Sequence, residues 1–193
     1  MEVIMRQETV GVTENLLKSA TEEFLEKGFM NASLRNISAK SGVSTNSIYT
    51  RFKDKEGLFS AIVKETADGL MEIYLDSIQK ATYSPDLNQA NHEGEEGTDF
   101  VLEYIYQHFT DFKLIFCCST GSQYEYFLDR LGEIEESYYQ ELVGKYGKAG
   151  YTVDRFFIHV FCRAGWQTMY ELVAHDCSYK EAQSFMNSTK LFN

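Results

Sequence analysis

The chain has a single proline, Pro85, and a single tryptophan in 193 residues. No stretch approaches the roughly 18 consecutive apolar residues of a membrane-spanning helix, and basic side chains are scarce, 18 Lys and Arg against 29 Asp and Glu. Each scarcity excludes something. With almost no proline to interrupt the backbone, long helices are favoured over a loop-rich architecture. Without a long apolar run, no membrane association is expected. The opening residues, MEVIMRQETVGVTENLL, lack a basic region followed by an apolar core, so no secretory signal is read and a cytoplasmic location is expected. Four cysteines, Cys117, Cys118, Cys162 and Cys177, lack the pair spacing of a metal site. Adjacent Cys117 and Cys118 are poor disulfide partners on geometric grounds. Reduced, mostly buried thiols are the expectation, a redox-sensing thiol the alternative.

What is present supports a real core. Hydrophobic residues make up 44% of the chain and aromatics 15%, a high share. Charge is unevenly divided. Residues 1–64 carry a net +1, residues 65–193 a net −12, and residues 33–55 alone a net +4. A basic island in an acidic chain argues for two parts with different partners.

Apolar spacing predicts an all-α protein of about nine helices. In TENLLKSATEEFLEKGF, Leu16, Leu17, Ala20, Phe24 and Leu25 recur at three- and four-residue intervals, with Glu and Lys opposite. Thr13 suits the N-cap of that helix and Gly28 the position past its end. A second helix is expected from Ser33 to Lys40, with Ser33 capping. Gly42 then supplies the positive φ of a tight turn, Val43 a plug between helices, and Ser44 the next cap. The third helix, Thr45 to Phe52, faces inward through Ile48 and Phe52. Asp54 caps a fourth that runs on towards Lys80. YSPDLNQANHEGEEGTD (Tyr83 to Asp99), with Pro85, two glycines and five acids, reads as a solvated loop. Further helices are expected at 100–109, 111–118, 122–146, 153–175 and in the last fifteen residues.

Two helices joined by a tight Gly turn, the second polar on its outer face, describe a helix-turn-helix. Thr45, Asn46, Ser47, Tyr49 and Thr50 share the outer face of the third helix. Hydroxyl and amide groups there suit hydrogen bonding to base edges, Asn with adenine above all. Arg51, Lys53 and Lys55 flank them as candidate phosphate neutralisers. Lys55 also falls in the first turn of the fourth helix, whose free N–H groups attract anions.

KGFMNASLRNISAKSGVSTNSIYTRFKDKEGLF, Lys27 to Phe59, resembles the TetR family of bacterial repressors in residue type and spacing. With the preceding helix the resemblance covers about a third of the chain. It departs at Ser38, where Ala is usual, and at Thr45-Asn46, which replace a common Lys-Gly. The resemblance implies a helix-turn-helix DNA-binding domain over residues 1–55 and a helical ligand-binding and dimerisation domain over 56–193. It implies phosphate contacts at Ser33, Tyr49 and Lys55 and base contacts at Thr45, Asn46, Ser47 and Thr50. The partners it implies are a near-palindromic double-stranded operator, a second copy of the chain, and a small-molecule effector that shifts the long fourth helix.

The remaining sequence carries no motif for the effector. The resemblance implies an apolar pocket between helices in this aromatic-rich part, for which Tyr104, His108, Phe112, Phe116, Tyr124, Phe127, Phe161 and Trp166 are the candidates, with Gln123 as a further polar group; ordinary core packing of these rings is the alternative. Control by a protein partner instead of a small molecule is the alternative. Val153 to His175 and the last helix look like half of a four-helix dimer interface, as the resemblance implies, with Phe161 and Met169 facing the partner; a buried core helix is the alternative. No catalytic set is found: His175-Asp176-Cys177 occupy different faces of any helix, and GKYGKAG lacks the strand and spacing of a phosphate loop. No cofactor and no metal is expected; Glu171 and His175, four apart, are the one pair that could ligate.

Overall fold

The computed structural model describes residues 2–147 and 152–192, with side chains described from 11 to 147 and from 152 to 189. Among the described residues it is all-helical: α1 Glu2–Asn31, α2 Leu34–Ser41, α3 Thr45–Phe52, α4 Lys55–Thr82, α5 Leu87–Gln107, α6 Phe109–Cys117, α7 Phe127–Tyr146, α8 Arg155–Ala174 and α9 Tyr179–Phe192. These form two compact units. One holds the chain up to Ala67 together with Thr110–Glu125; the other holds Asp68–Phe109 and the chain from Tyr126 onward.

In the first unit Leu16, Ala20 and Phe24 of α1 are fully buried with Ile37, Ile48, Leu58 and Phe59. Phe24, Phe29 and Phe59 meet at centroid distances of 4.9 to 6.0 Å, and Tyr124 joins Phe59 at 5.9 Å. Phe24 and Phe29 are stacked and the other pairs tilted or edge-on, arrangements that contribute beyond the area they bury. Gly28, at φ 69°, ends the regular part of α1. The next amide, Phe29 N–H, donates to Cys118 O at 2.7 Å. The turn after α6 is thus bonded to the end of α1, and Gln123 extends this: its N–H donates to Glu56 and its Nε2 to Ser60 Oγ.

In the second unit α7 and α8 are joined by an ionic ladder. Arg163 pairs with Asp129, and His159 Nδ1 lies 2.7 Å from Glu136. At Gly132 an added Cβ would sit 3.3 Å from the Arg163 stem, so the missing side chain makes room for it. Lys145 Nζ donates to Thr82 O and Ser84 O, closing the end of α4 against α7.

Several expectations are corrected. Thr13 is not a cap: α1 begins at Glu2, and Thr13 Oγ1, inside the helix, accepts from Arg51 Nη1 at 2.9 Å. Only a lone Gly11 interrupts the upstream helix formers, which is too weak a break to stop a helix. Tyr83–Asp99 is not a loop. Only Tyr83–Asp86 turns; Asp86 then caps α5 by accepting from Gln89 N–H. Its small residues are functional in packing: Ala90 is fully buried, and a Cβ at Gly97 would lie 2.7 Å from Ser77 Cβ, so glycine permits close approach to α4. His92 accordingly sits on a helix, 3.6 Å from Glu96. The helix expected from Ser122 begins instead at Phe127, after successive turns. Met169 is 6% exposed and belongs to the core of its own chain, so it faces no partner. The glycine-rich GKYGKAG includes the end of α7; its residues 148–150 lie outside the described residues.

Candidate functional site

The turn between α2 and α3 is built from three successive requirements. Gly42 adopts φ 71°, a left-handed conformation that glycine takes without a Cβ penalty. Val43 is buried beneath it. Ser44 Oγ accepts from Ser47 N–H at 3.1 Å, satisfying a free donor at the start of α3. With Ile48 fully buried, α3 is rotated so that Asn46, Tyr49 and Thr50 are exposed and Thr45 and Ser47 half-buried. Tyr49 is 53% exposed. Ser47 Oγ lies 2.9 Å from Ser44 Oγ, and Thr50 Oγ1 donates to Asn46 O, an exchange within the helix that leaves the Asn46 amide outward.

The flanking basic residues divide. Lys53 is exposed and ends α3 with a positive φ of 70°. Asp54 N–H donates to Phe52 O across it, so Lys53 is the centre of a γ-turn of the rare, positive-φ kind. Arg51 reaches back to Thr13. Lys55 is held inward: its ammonium donates to Met30 O at 2.9 Å and Ala32 O at 3.3 Å and lies 4.8 Å from the Phe29 ring centroid. It ties the chain after α1 to the start of α4. Ser33 occupies the cap position of α2 with no side-chain cap; its N–H donates to Glu23.

Spacing predicts the glutamates of α1 opposite its apolar stripe, yet Glu23 is 2% exposed. Its carboxylate accepts from Ser33 N–H, Asn36 Nδ2 and Lys40 Nζ. Burial alone would raise its pKa; the bonds to Asn36, Ser33 and Lys40 outweigh that and lower it. A carboxylate so held fixes α2 on α1 and thereby the platform for α3. Three bonding partners within a span of eight residues, Ser33, Asn36 and Lys40, were the signal available in the sequence.

The eight aromatic and histidine candidates are not gathered into one place. Phe112, Phe116 and Tyr124 are buried in the first unit; Tyr104, His108, Phe127, Phe161 and Trp166 belong to the second. The rings of Tyr104 and His108 meet at a tilt, 4.5 Å apart. Phe161 is 43% exposed and meets Tyr139 edge-on at 5.6 Å. An open groove of about 710 Å³ runs along α4 of the second unit, bordered by Asp68, Glu72 and Asp76 with Met71, Ile73, Leu75 and Gln79, and contains none of the eight. Glu171 and His175, the pair considered for a metal, contact each other at 3.2 Å and are both exposed.

Trp166 lies elsewhere in the second unit, in a setting that spacing did not reveal. It packs edge-on against Tyr74 at 5.0 Å. Both Tyr74 Oη and Trp166 Nε1 are buried without a hydrogen-bond partner. Next to them is Glu135 of α7, whose carboxyl burial pushes up to about 7 while proximity to Trp166 draws it back. Burial, reinforced by Glu135, raises Tyr138 to about 12 and Tyr139 further still. Glu135 stands four residues after the fully buried Leu131, which places it on the inner face of α7.

Comparison with known proteins agrees with the geometry at the N-terminal end. Residues 16–62 match the family model described as bacterial regulatory proteins, tetR family. A Syntrophomonas wolfei structure named as a TetR-family transcriptional regulator superposes with a TM-score of 0.62 at 20% identity, covering 94% of this chain and 93% of that one. A Clostridium perfringens structure named as a fatty acid metabolism regulator gives 0.60 at 15% identity, covering 91% and 94%. The fatty acid degradation regulator FadR from Bacillus halodurans gives 0.54 at 14% identity, covering 91% and 94%. At such identities these structures speak for the fold. Among the described residues no helix is long and apolar enough to cross a membrane. Residues 16–62 thus match the tetR-family model, and the helical fold around them is similar to that of the TetR-family structures.

Proposed function

We propose that the protein is a dimeric, non-enzymatic transcriptional repressor that binds a near-palindromic operator and is modulated by a small apolar or aromatic effector. The observation that carries this reading is the outer face of α3, where Asn46, Tyr49 and Thr50 are exposed on a helix anchored by Ile48 and capped by Ser44. A short helix presenting amide and hydroxyl groups is the form that enters a major groove. Lys53 is available for phosphate; Lys55 serves the scaffold first, and Tyr49 is exposed enough to reach a backbone oxygen.

Dimerisation is supported by an apolar stripe on α8. Phe157, Val160 and Phe161 are exposed at helical spacing, continued by the small Ala164 and Gly165, while Phe185 is exposed on α9. Large apolar side chains left in water on adjoining helices favour a partner surface. A second copy supplies one with two-fold symmetry, and two copies of α3 then read two half-sites.

Enrichment from a pool of random duplexes tests the reading. The expected product is a pair of inverted half-sites about one helical turn apart, bound with strong salt dependence. Asn46→Ala should relax preference at one position per half-site at a cost of about 1–3 kcal/mol. Recovery of the same site with unchanged affinity by that variant would place recognition elsewhere.

A further inference from the structure

Around Glu135 three helices of the second unit bring together groups that do not satisfy one another. Trp166, 5% exposed, carries an indole N–H with no acceptor in bonding geometry, and Tyr74 carries a buried hydroxyl in the same condition. Orphaned buried donors are uncommon in native proteins, and two beside one carboxyl call for a physical reason. Both can donate, so both are best served by an ionised carboxylate. Yet ionised Glu135 has no counter-charge: the groups that act on it or feel it are Tyr74 from α4, Tyr138 and Tyr139 from α7, and Cys162 and Trp166 from α8. None is basic. Among the described residues no Lys, Arg or His forms a salt bridge with it. Arg163, the nearest cation in sequence on α8, pairs with Asp129, and its buried Nε, without a hydrogen-bond partner, lies 3.8 Å from Glu136. An isolated carboxylate in this setting is costly, whereas one facing a cation is not.

We propose that Glu135, Tyr74 and Trp166 form the anchor of the effector site, and that the effector is an organic cation whose ammonium head sits against the Glu135 carboxylate between the rings of Tyr138, Tyr139 and Trp166. The inference rests on the ligand-responsive reading above and names its ligand class. Aromatic rings attract a cation through their faces, and attraction strengthens when water is excluded. Below about pH 7 entry of the cation displaces the carboxyl proton to solvent, and the Tyr74 and Trp166 donors gain a full acceptor. Binding therefore carries its own proton release.

The single tryptophan makes the site observable. Benzyltrimethylammonium, a permanent cation, should quench Trp166 fluorescence saturably. Its neutral carbon isostere neopentylbenzene and the anion dodecanoate should bind at least tenfold more weakly. Because the probe itself does not titrate, its affinity should fall about tenfold from pH 8 to pH 6 as Glu135 takes up a proton around 7. Glu135→Gln should lower affinity at pH 8 at least tenfold and flatten that dependence. Should this variant fail to fold, Tyr74→Phe, which removes one donor to the carboxylate, should weaken the cation several-fold and leave neopentylbenzene unaffected. Failure of the cation to bind, equal binding of the neutral isostere, or a Glu135→Gln protein that binds like wild type would overturn the proposal. Operator gel shifts separate it from the reading beneath it. A cation that binds through Glu135 yet leaves operator affinity unchanged supports the site and sinks effector control. Dodecanoate that releases operator while the cation does not bind keeps effector control and sinks the cation.

Discussion

Replacing Glu135 by Gln should change how the stability of the protein depends on pH. In the folded chain burial raises the carboxyl from 4.5 to about 7. The folded state therefore holds a proton that the unfolded state has lost anywhere between those two values. Where the folded state binds more protons, stability falls as pH rises. Below about pH 4.5 both states are protonated and nothing is lost; above about 7 the loss is complete. Each pKa unit corresponds to about 1.4 kcal/mol, so the full difference is about 3 kcal/mol. Gln keeps the shape and a side-chain oxygen but does not titrate. Urea unfolding of both proteins at fixed concentration, from pH 4.5 to 8, isolates this one group because every other carboxylate is shared. The stability of wild type relative to Glu135→Gln should decline by about 3 kcal/mol between pH 4.5 and 7 and then level. Parallel curves across that range would refute the placement of Glu135 in a dry, uncompensated site.

Lys55→Ala removes the ammonium bonded to Met30 O and Ala32 O. It should cost about 1–2 kcal/mol of stability in the absence of DNA; thermal melts showing no loss would indicate that this lysine points at phosphate instead. Phe161→Asp should split the dimer while leaving the monomer folded, whereas Met169→Asp should unfold the chain by inserting a charge into its core. Sedimentation together with circular dichroism distinguishes the two, and a folded, dimeric Phe161→Asp protein would exclude α8 from the interface. Gly57→Ala should be destabilising by about 1–3 kcal/mol, since the new methyl meets the Phe52 carbonyl; a neutral effect in urea unfolding would show that the start of α4 yields easily.

The helix-turn-helix was legible because each of its turns is made by local chemistry. Gly42, Val43, Ser44 and Ile48 do in the structure what their types and spacing announce, and α3 has the expected ends. Where long-range packing decides, local reading failed. Tyr83–Asp99 has a loop's composition, but Gly97 is small because α4 is close, and proximity of a distant helix leaves no mark on a short window. Glu23 looked like a surface acid because its partners lie on the next helix. Met169 looked like an interface residue because apolar periodicity records that a face is covered without recording by what. Glu135 was overlooked as one acid among several in GEIEESYY, although its four-residue offset from Leu131 was there to be seen. The return of Thr110–Glu125 to the first unit has no local signature at all.

The joint between α3 and α4 constrains the length of the chain. It consists of Lys53 in its positive-φ γ-turn and Asp54, whose carboxylate accepts from Gly57 N–H at 2.7 Å. Gly57 is packed on Phe52 O, and Lys55 is tied back to Met30 and Ala32. No residue of this joint is spare. On the open face of α3, by contrast, the exposed Asn46 and Tyr49 can be exchanged without touching the joint. A single insertion or deletion at 53–54 would instead rotate the start of α4 and break three anchorages at once. The outer face of α3 thus tolerates exchange of its side chains, while the joint that positions it tolerates no change of length.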